Sequence, residues 1–475
     1  MSLLTGNWHP LGNECFYRRF ELCSLRWKDE PGVNLSKCFV AAAPFSGCIA
    51  LIRNDRINNK EFDVKQEISV FTPFGCLIST FKVERLTYLG WSFDEELLCI
   101  QEDGSVSVFD IFGLYKQTFT IDKEVRDTKV YECKLFNHDR VTGIAVITFA
   151  NKLLVINNIK DPKPRYYPLV LGVDFTKCVW AVVAGDGQQT QILVSYETKM
   201  YLMKSDSYTE LMWNIQSPFQ SVTNIALSFN YKNVTILTNT GVLWIGILYA
   251  NELKKNCEFE TDGKISPNFL MWCGEDAVAG VWRDILLIVG KDKDWLKFDI
   301  EPPVHLVEEI DGIRIISNDV HEFLQQVPNV VVDVLRIGSV AAGALLLEAT
   351  KEYHKRTHKA DEYMKMLTDR QETESAVVQC IKTAGHEYSI STQKMLLRAA
   401  SFGKFFVPEM DPKTFVTMCQ TLRVLNAVRN QNIGIPLTYK QLEYLSIDSL
   451  IQKLVLRRHY CVAIRIAKYL KIPEE

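Results

Sequence analysis

Short runs of apolar residues, alternating or continuous and separated by turn residues, dominate the first two thirds of the chain. The fourteen residues from Ile68 (ISVFTPFGCLISTF) align with the fourteen from Val106 (VSVFDIFGLYKQTF), and seven positions are identical. Each copy predicts two strands joined by a bend at Phe74-Gly75 or Phe112-Gly113. A 38-residue repeat of such hairpins is typical of a β-propeller, in which each copy is the outer hairpin of one blade.

A second similarity links residues 86–104 (LTYLGWSFDEELLCIQEDG) to residues 222–241 (VTNIALSFNYKNVTILTNTG) at an offset of 136 to 137 positions. About three blades of forty-odd residues fit that offset. Further strands are predicted at 153–159, 200–204, 242–248, 285–289 and 313–317. The count favours seven blades, with six or eight as alternatives. Because no helix-period stretch of convincing length interrupts residues 14–327, an alternating α/β fold is disfavoured.

Five tryptophans fall on or beside these strands, and we expect them to fill the space between blades rather than to form a ligand cage. They are Trp91, Trp180, Trp244, Trp272 and Trp282.

After Pro328 the apolar spacing becomes helical, as at Phe415, Met418 and Leu422. Asp411 and Pro412 stand where an N-cap and a first-turn proline belong. Other helices are predicted at 341–355, 359–367, 372–384, 392–402 and on both sides of a turn at 457–459. Short linkers allow a bundle or a solenoid. We expect a β-propeller over residues 1–328 and an α-solenoid over residues 329–475. Because the last helix stops at 473–475 with an apolar face still needing a neighbour, we expect a truncated array.

Charge differs between the two parts. Residues 329–475 hold 21 basic and 15 acidic side chains, a net charge of +6. The remainder holds 33 basic and 42 acidic side chains, a net charge of −9, from totals of 54 and 57. Opposed charges suit docking between proteins, and no nucleic-acid reader motif is present, so nucleic-acid binding is not expected.

Targeting and redox features predict a cytoplasmic chain. The 13 cysteines include no C-x-x-C pair, which favours reduced thiols. The first ten residues lack the pattern of a signal peptide. The best candidate for a membrane span, residues 330–347, is interrupted by Asp333 and Arg336, so any membrane contact should be peripheral.

Several residues imitate catalytic or metal sites. His354 and His358 lie four apart on a predicted helix, with Asp361 or Glu362 as possible partners, but the lysines and arginine around them favour a solvated helix face.

Ser401 lies one residue away from a G-x-S-x-G elbow. The surrounding pattern is an amphipathic helix, however, with Gly403 as its expected C-cap. Asp186 between two glycines and Asp103-Gly104 are interpreted as tight turns. We therefore assign no catalytic, cofactor-binding or metal-binding residue, expect no cofactor and no enzyme activity, and leave the partner-binding residues open.

Longer strings carry a family resemblance. Near the start are NWHPLGNECFYRRFEL, VAAAPFSGCIALIRN and LGWSFDEELLCIQEDGSVSVF, and later come GALLLEATKEY, KADEYM, LLRAASFGK, LRVLNAVRNQNIGIPLTY and LVLRRHYCVAIRIAKYL. Together they resemble, from end to end, the family of vacuolar protein sorting-associated protein 16.

The resemblance implies a non-catalytic core subunit of the class C tethering complexes HOPS and CORVET. These complexes link Rab-marked endosomal, lysosomal or vacuolar membranes and support SNARE-dependent fusion. The implied partners are other class C subunits and a Sec1/Munc18-like subunit, which we expect to bind solenoid beyond residue 475. SNAREs and Rab GTPases would be indirect partners. The alternatives are a vesicle-coat or nuclear-pore scaffold of the same architecture and, less favoured, a propeller-associated hydrolase using Ser401.

Overall fold

A computed structural model of the chain describes residues 4–13, 15–29, 33–53, 65–170, 172–185, 190–249, 251–261, 265–367 and 369–472. The chain divides into two compact units. Glu21–Leu324 form the first, here called the blade unit. Met1–Phe20 and Gln325–Glu475 form the second, here called the helical unit.

The described residues contain 29 strands, all short and separated by turns. They are β1 (Trp8–Leu11), β2 (Cys15–Ser24), β3 (Cys38–Ala42), β4 (Ile49–Arg53), β5 (Gln66–Phe71), β6 (Leu77–Val83), β7 (Tyr88–Trp91), β8 (Leu97–Ile100), β9 (Ser105–Phe109), β10 (Tyr115–Thr120), β11 (Val130–His138), β12 (Val141–Thr148), β13 (Leu153–Ile156), β14 (Arg165–Tyr166), β15 (Val179–Val183), β16 (Gln191–Tyr196), β17 (Lys199–Met203), β18 (Tyr208–Leu211), β19 (Val222–Leu227), β20 (Asn233–Thr238), β21 (Val242–Tyr249), β22 (Glu252–Glu260), β23 (Phe269–Cys273), β24 (Ala277–Trp282), β25 (Ile285–Gly290), β26 (Trp295–Asp299), β27 (His305–Glu309), β28 (Gly312–Ile316) and β29 (Val320–Gln326).

These strands form seven sheets in the described part of the chain, which confirms the seven-bladed propeller. Six sheets have four strands each, taken consecutively from β3–β6 (blade 1) to β23–β26 (blade 6). The seventh has five strands in the order β1-β2-β29-β28-β27. One short helix, α1 (Lys123–Thr128), lies between blades 2 and 3, a helical turn that the apolar pattern did not reveal.

The repeated hairpins are β5–β6 and β9–β10, the last two strands of blades 1 and 2. Gly75 and Gly113 take φ values of +74° and +75°, a conformation that favours glycine and lets each bend close. The longer similarity joins β7–β8 of blade 2 to β19–β20 of blade 5, three blades apart. Both predictions are confirmed.

Tryptophans on the first strands of alternate blades bridge to the preceding blade. Trp91 Nε1 donates to Ala41 O (3.0 Å), and Trp272 Nε1 donates to Ala226 O (3.2 Å). Trp180 Nε1 donates to Glu132 Oε2 (2.7 Å). The rings are buried among apolar side chains of two neighbouring sheets, so each contributes burial energy and a satisfied donor. The interblade role is confirmed for these residues.

Nine helices follow the last strand in the described residues. They are α2 (Asn329–Leu335), α3 (Ala342–His354), α4 (Lys359–Met366), α5 (Arg370–His386), α6 (Ile390–Phe405), α7 (Lys413–Val428), α8 (Tyr439–Leu445), α9 (Ile447–Leu456) and α10 (Tyr460–Leu470). The helices pack as a solenoid, as predicted, with contacts within the pairs α3–α4, α5–α6 and α9–α10 and from α5 to both α3 and α7. The predicted boundary between residues 328 and 329 stays a prediction.

Small residues let the solenoid helices approach closely. Ala376 and Ala384 of α5 and Ala399 and Ala400 of α6 are fully buried. The N-cap of α7 is Pro412, one residue later than predicted, and Asp411 Oδ1 before it accepts from Lys413 N (2.9 Å). The segment considered as a membrane span is divided between α2 and α3, and no helix among the described residues is long and apolar enough to cross a membrane.

Candidate interaction surfaces

The two histidines considered as metal ligands lie on different helices, so the prediction that they share one helix is wrong. His354 is the last residue of α3, whereas His358 is the N-cap of α4. The His358 side chain is 83% exposed, and its Nε2 lies 3.8 Å from Glu362 Oε1. Within the described ranges, no group of three or more His, Cys, Asp or Glu side chains could hold a metal ion.

Ser401 is exposed on the surface of α6. The helix continues through Gly403 to Phe405, so the expected C-cap role of Gly403 is wrong. A Cβ on Gly403 would lie 2.6 Å from Leu346 Cδ2 and 2.7 Å from Val377 Cγ2. Gly403 therefore permits close helix packing, and Ser401 lies on a regular helix instead of a strained strand-to-helix elbow.

Asp103 and Gly104 form the turn between β8 and β9. Asp103 Oδ1 accepts from Ser105 N (2.9 Å), and Oδ2 accepts from Ser105 Oγ (2.8 Å). Gly104 has a φ of +78°. The turn prediction is confirmed here, while Asp186 and its flanking Gly187 lie outside the described residues.

A buried ion pair joins blade 7 to blade 1. Glu309 Oε1 of β27 lies 2.6 Å from Arg314 Nε of β28, and both side chains are fully buried. Glu309 also accepts from the backbone nitrogens of Phe45 (2.9 Å) and Ser46 (3.1 Å), and Arg314 donates to Ala43 O. Because Ala43 to Ser46 follow β3, the pair fastens the last blade onto the first.

Burial shifts the pKa of titratable groups around this seam. Burial and the neighbouring Glu309 raise the pKa of Glu308 to about 8, and Glu308 Oε1 has no hydrogen-bond partner among the described residues. Burial and Arg314 lower the pKa of His305 to about 4 and that of His321 to about 3. His321 Nδ1 lies 2.9 Å from Pro73 O, across the same seam. The shifts follow from packing between blades, which makes this cluster structural.

An apolar groove of about 450 Å³ opens between blades 5 and 6. Its aromatic walls come from Phe259, Trp282 and Trp295, and Trp295 is 56% exposed. Trp282 Nε1 donates to Ile265 O (3.0 Å). Trp282 therefore packs between blades, although it is only half-buried. It also lines the groove, whose size could accept an extended peptide.

A second, more polar groove of about 460 Å³ lies between blades 1 and 2, where Lys82, Gln101 and Ser107 are among its lining residues.

Four aromatic side chains cluster where α3 and α6 end, and we call them the aromatic patch: Tyr353, Phe402, Phe405 and Phe406. Ring centroids are 5.0 Å apart for Tyr353 and Phe402, 5.3 Å for Phe402 and Phe406, and 5.7 Å for Phe405 and Phe406. Phe405 is 83% exposed, Tyr353 57% and Phe406 48%. Contiguous exposed rings of this kind mark an interaction surface.

The hairpin of α9 and α10 also exposes apolar side chains, with Val455 and Leu456 on one side and Tyr460 and Ile464 on the other. We call this set the hairpin face. Within the helical unit it is a further candidate surface for a protein partner.

The first twenty residues are tied to the helices by Arg18. Its Nη1 lies 2.6 Å from Glu387 Oε1, and its Nη2 donates to His386 O (2.8 Å). The Gln325 amide oxygen accepts from Arg18 Nη2 (2.7 Å) and Nε (2.8 Å) in the orientation that satisfies both amide atoms. All these groups belong to the helical unit, so Arg18 fixes its two chain segments together.

None of these surfaces was predicted residue by residue. Glu309 of β27 was not among the residues considered from the sequence, because only the closing of the ring between blades 7 and 1 brings it against the backbone of Phe45 and Ser46. The exposed Phe405-Phe406 pair was a usable signal, because two adjacent aromatic residues at a helix end cannot both point into the core.

The chain matches the sequence profile of the family described as "Vps16, N-terminal region" over residues 4–417. A vacuolar protein sorting-associated protein 16 homolog of Drosophila melanogaster is 31% identical, over 99% of this chain and 57% of the relative. The homolog of Dictyostelium discoideum is also 31% identical, over 100% of this chain and 57% of the relative. The chain thus spans little more than half the length of these relatives.

Among solved structures, the β-propeller domain of Cps50 (Swd1) from Myceliophteria thermophila aligns with a TM-score of 0.44 and 12% identity. The alignment covers 64% of this chain and 99% of that chain.

Proposed function

Since the chain belongs to the family of the Vps16 N-terminal region, we propose that it is a scaffold subunit of an endolysosomal membrane-tethering complex of the HOPS or CORVET type. In this role it supports protein transport to late endosomes, lysosomes or vacuoles and the SNARE-dependent fusion that completes it. It carries out no reaction of its own.

The observation that carries this proposal is the family match across residues 4–417, together with relatives that are named for vacuolar protein sorting. The geometry supports it in a second way. A ring of blades and an array of helices present broad, separate surfaces, and the candidate catalytic residue Ser401 lies on a plain helix surface.

The partners we propose are the other class C subunits. The grooves between blades and the hairpin face are the surfaces offered to them. We assign binding of the Sec1/Munc18-like subunit to the remaining length of the relatives, which this chain does not cover. Rab GTPases and SNAREs would contact the assembled complex and not this chain directly. We place the protein on the cytoplasmic side of late endosomal and lysosomal or vacuolar membranes, with peripheral attachment only.

A tag inserted before the first codon of the chromosomal gene tests the proposal, because it labels whatever product the gene makes. Native purification from endolysosomal membranes should recover the class C subunits in stoichiometric amounts. Recovery of coat or nuclear-pore components instead, or of large regular cages by light scattering, would favour the alternative scaffold and overturn the proposal.

A further inference from the structure

The aromatic patch lies beside a cluster of basic side chains at the same end of the helices. Tyr353 is followed directly by His354, Lys355 and Arg356, and Lys404 directly precedes Phe405. We propose that this end of the helical unit docks on an anionic lipid surface. Phe405, Phe406 and Tyr353 enter the interfacial layer, and the basic side chains face the lipid phosphates.

The exposed rings project outward from the protein surface, as side chains that insert into a lipid surface do. Phe405 stands 83% exposed at the last turn of α6, and Phe402 beneath it is half-buried against Tyr353. The rings therefore project from the helix ends on a packed base. Aromatic side chains in this arrangement partition into the boundary between headgroups and acyl chains. A peptide ligand would be held better by a concave site such as the groove between blades 5 and 6.

The charge around the patch complements an anionic membrane. Residues 351–359 together with Lys404 hold five basic side chains and one acidic side chain, Glu352, a net charge of +4. Lys355 Nζ lies 2.7 Å from Glu352 Oε1. Among the described residues, Arg356, Lys359 and Lys404 form no salt bridge, so their charges are available.

Three further carboxylates, Glu348, Asp361 and Glu362, flank this stretch, and the nearby Glu409 is ion-paired. Glu348 pairs with Lys351 at 2.6 Å, and Glu409 pairs with Arg370. Asp361 and Glu362 occupy the first turn of α4, where the helix dipole favours them. Each Lys or Arg close to an anionic leaflet strengthens binding by about fivefold, so a few of them suffice for reversible attachment.

This contact does not depend on the proposed tethering complex, because it concerns the chain and a lipid bilayer only. It is tested by co-sedimentation of the purified chain with phosphatidylcholine vesicles that contain or lack phosphatidylserine. We expect binding to the anionic vesicles that falls as salt is raised, and much weaker binding to the neutral ones.

Two variants separate the apolar and the charged contributions. Phe405→Ser combined with Phe406→Ser should weaken partitioning to anionic vesicles by about tenfold, and Phe405→Ser alone by somewhat less, since an aromatic ring is lost from the interface. Lys355→Glu combined with Arg356→Glu should weaken it by at least about 25-fold, because two favourable charges are reversed.

Matched controls come from the blade unit. Met212 is 86% exposed, so Met212→Ser removes an equally exposed apolar side chain. Lys163 and Lys177 are 79% and 74% exposed, and each is ion-paired, as Lys355 is. Lys163→Glu combined with Lys177→Glu therefore changes the net charge by the same amount as the Lys355 and Arg356 variant, but in the blade unit. Both controls should bind like the wild type, and thermal melting should show that every variant is folded.

The proposal is overturned if the folded wild-type chain does not bind anionic vesicles. It is equally overturned if the patch variants bind them as well as the Met212 and lysine controls do. A finding that the same variants instead lose an acidic protein partner, with lipid binding intact, would reassign the patch to protein docking and so also overturn the lipid proposal.

Discussion

Arg18 Nη1 lies 2.6 Å from Glu387 Oε1, although the two residues are 369 positions apart in the chain. Their side chains are only 7% and 12% exposed. The same guanidinium donates to His386 O and to the Gln325 amide oxygen. One arginine thus bonds two acceptors at the end of α5 and one on β29, and its removal takes a donor from each of them.

We expect Arg18→Met to lower the free energy of unfolding of the helical unit by about 3 kcal/mol, because the Glu387 carboxylate stays buried without its partner. Urea denaturation measures the loss, and hydrogen exchange should show earlier opening at the end of α5. The control is Arg370→Met, which breaks the more exposed pair with Glu409 in the same unit and should cost about 0.5 kcal/mol or less. Equal costs for the two variants would contradict this account.

The seam between blades 7 and 1 should be more sensitive still. Arg314→Met leaves the Glu309 side chain fully buried without its partner, and we expect a loss of about 3–5 kcal/mol, seen as a large drop in the melting temperature. Replacing both partners, with Glu309→Leu added, should recover part of the loss, although Phe45 N and Ser46 N then lose their acceptor. Lys297→Met, which breaks an exposed pair with Asp299, provides the baseline. A single Arg314 variant as stable as that baseline would show that the pair does not hold the ring.

Stability should fall in mildly alkaline solution because of Glu308. Its pKa is raised from 4.5 to about 8, so the folded protein keeps the carboxyl protonated where the unfolded chain has lost the proton. The stabilising contribution is fully present below pH 4.5 and is lost as the pH rises through 8. Between about pH 6.5 and pH 8.5 the wild type should lose roughly 2 kcal/mol that Glu308→Gln does not lose.

Chemical denaturation at both pH values measures that difference, with Glu210→Gln, an exposed carboxylate of blade 4, as the control. This pH range lies above the acidic range in which titration of His305 and His321 changes the stability. Because the pKa values of both histidines are lowered in the folded protein, stability falls as the pH drops below 6.5. At that pH the unfolded chain binds protons that the folded protein does not bind. A parallel pH dependence for the wild type and Glu308→Gln would contradict the burial of this carboxyl.

Helix packing at Gly403 gives a further contrast between near neighbours. Gly403→Ala places a methyl group against Leu346 and Val377, and we expect a cost of about 1–3 kcal/mol despite the better helix propensity of alanine. Ser401→Ala, two residues away on the exposed side of the same helix, should be neutral or slightly stabilising. Thermal melting compares them. A neutral Gly403→Ala would mean that α3, α5 and α6 are less tightly packed than described.

The propeller was predictable because its repeats are local. Hairpins such as β5–β6 and β9–β10 carry strand alternation and a turn glycine within fourteen residues, and the similarity between blades 2 and 5 showed the period. The joining of distant strands carries no local signal. Val327 N donates to Phe16 O at 2.7 Å, although the two residues are more than 300 positions apart in the chain. No sequence pattern near either residue predicts this pairing.

Short helices were missed for a related reason. α2 and α8 have seven residues each, too few for a 3.6-residue period to stand out. A usable signal existed at α8, where Thr438 and Gln441 form a capping box. Apart from the adjacent pair Phe405-Phe406, the exposed surfaces carried no sequence signal, because whether a single phenylalanine such as Phe402 is exposed or buried depends on how α3 packs against α6.

The central claim, that this chain serves protein sorting to the lysosome or vacuole as a scaffold, is tested most directly by removing its gene and timing cargo. We predict that an endocytosed cargo then stalls in late endosomes. Normal arrival should return when the gene is restored with Ser401→Ala, because no reaction is required of the chain. Cargo that reaches the lysosome at the wild-type rate in cells lacking the gene, or rescue that fails when Ser401 is replaced in a folded protein, would contradict the claim.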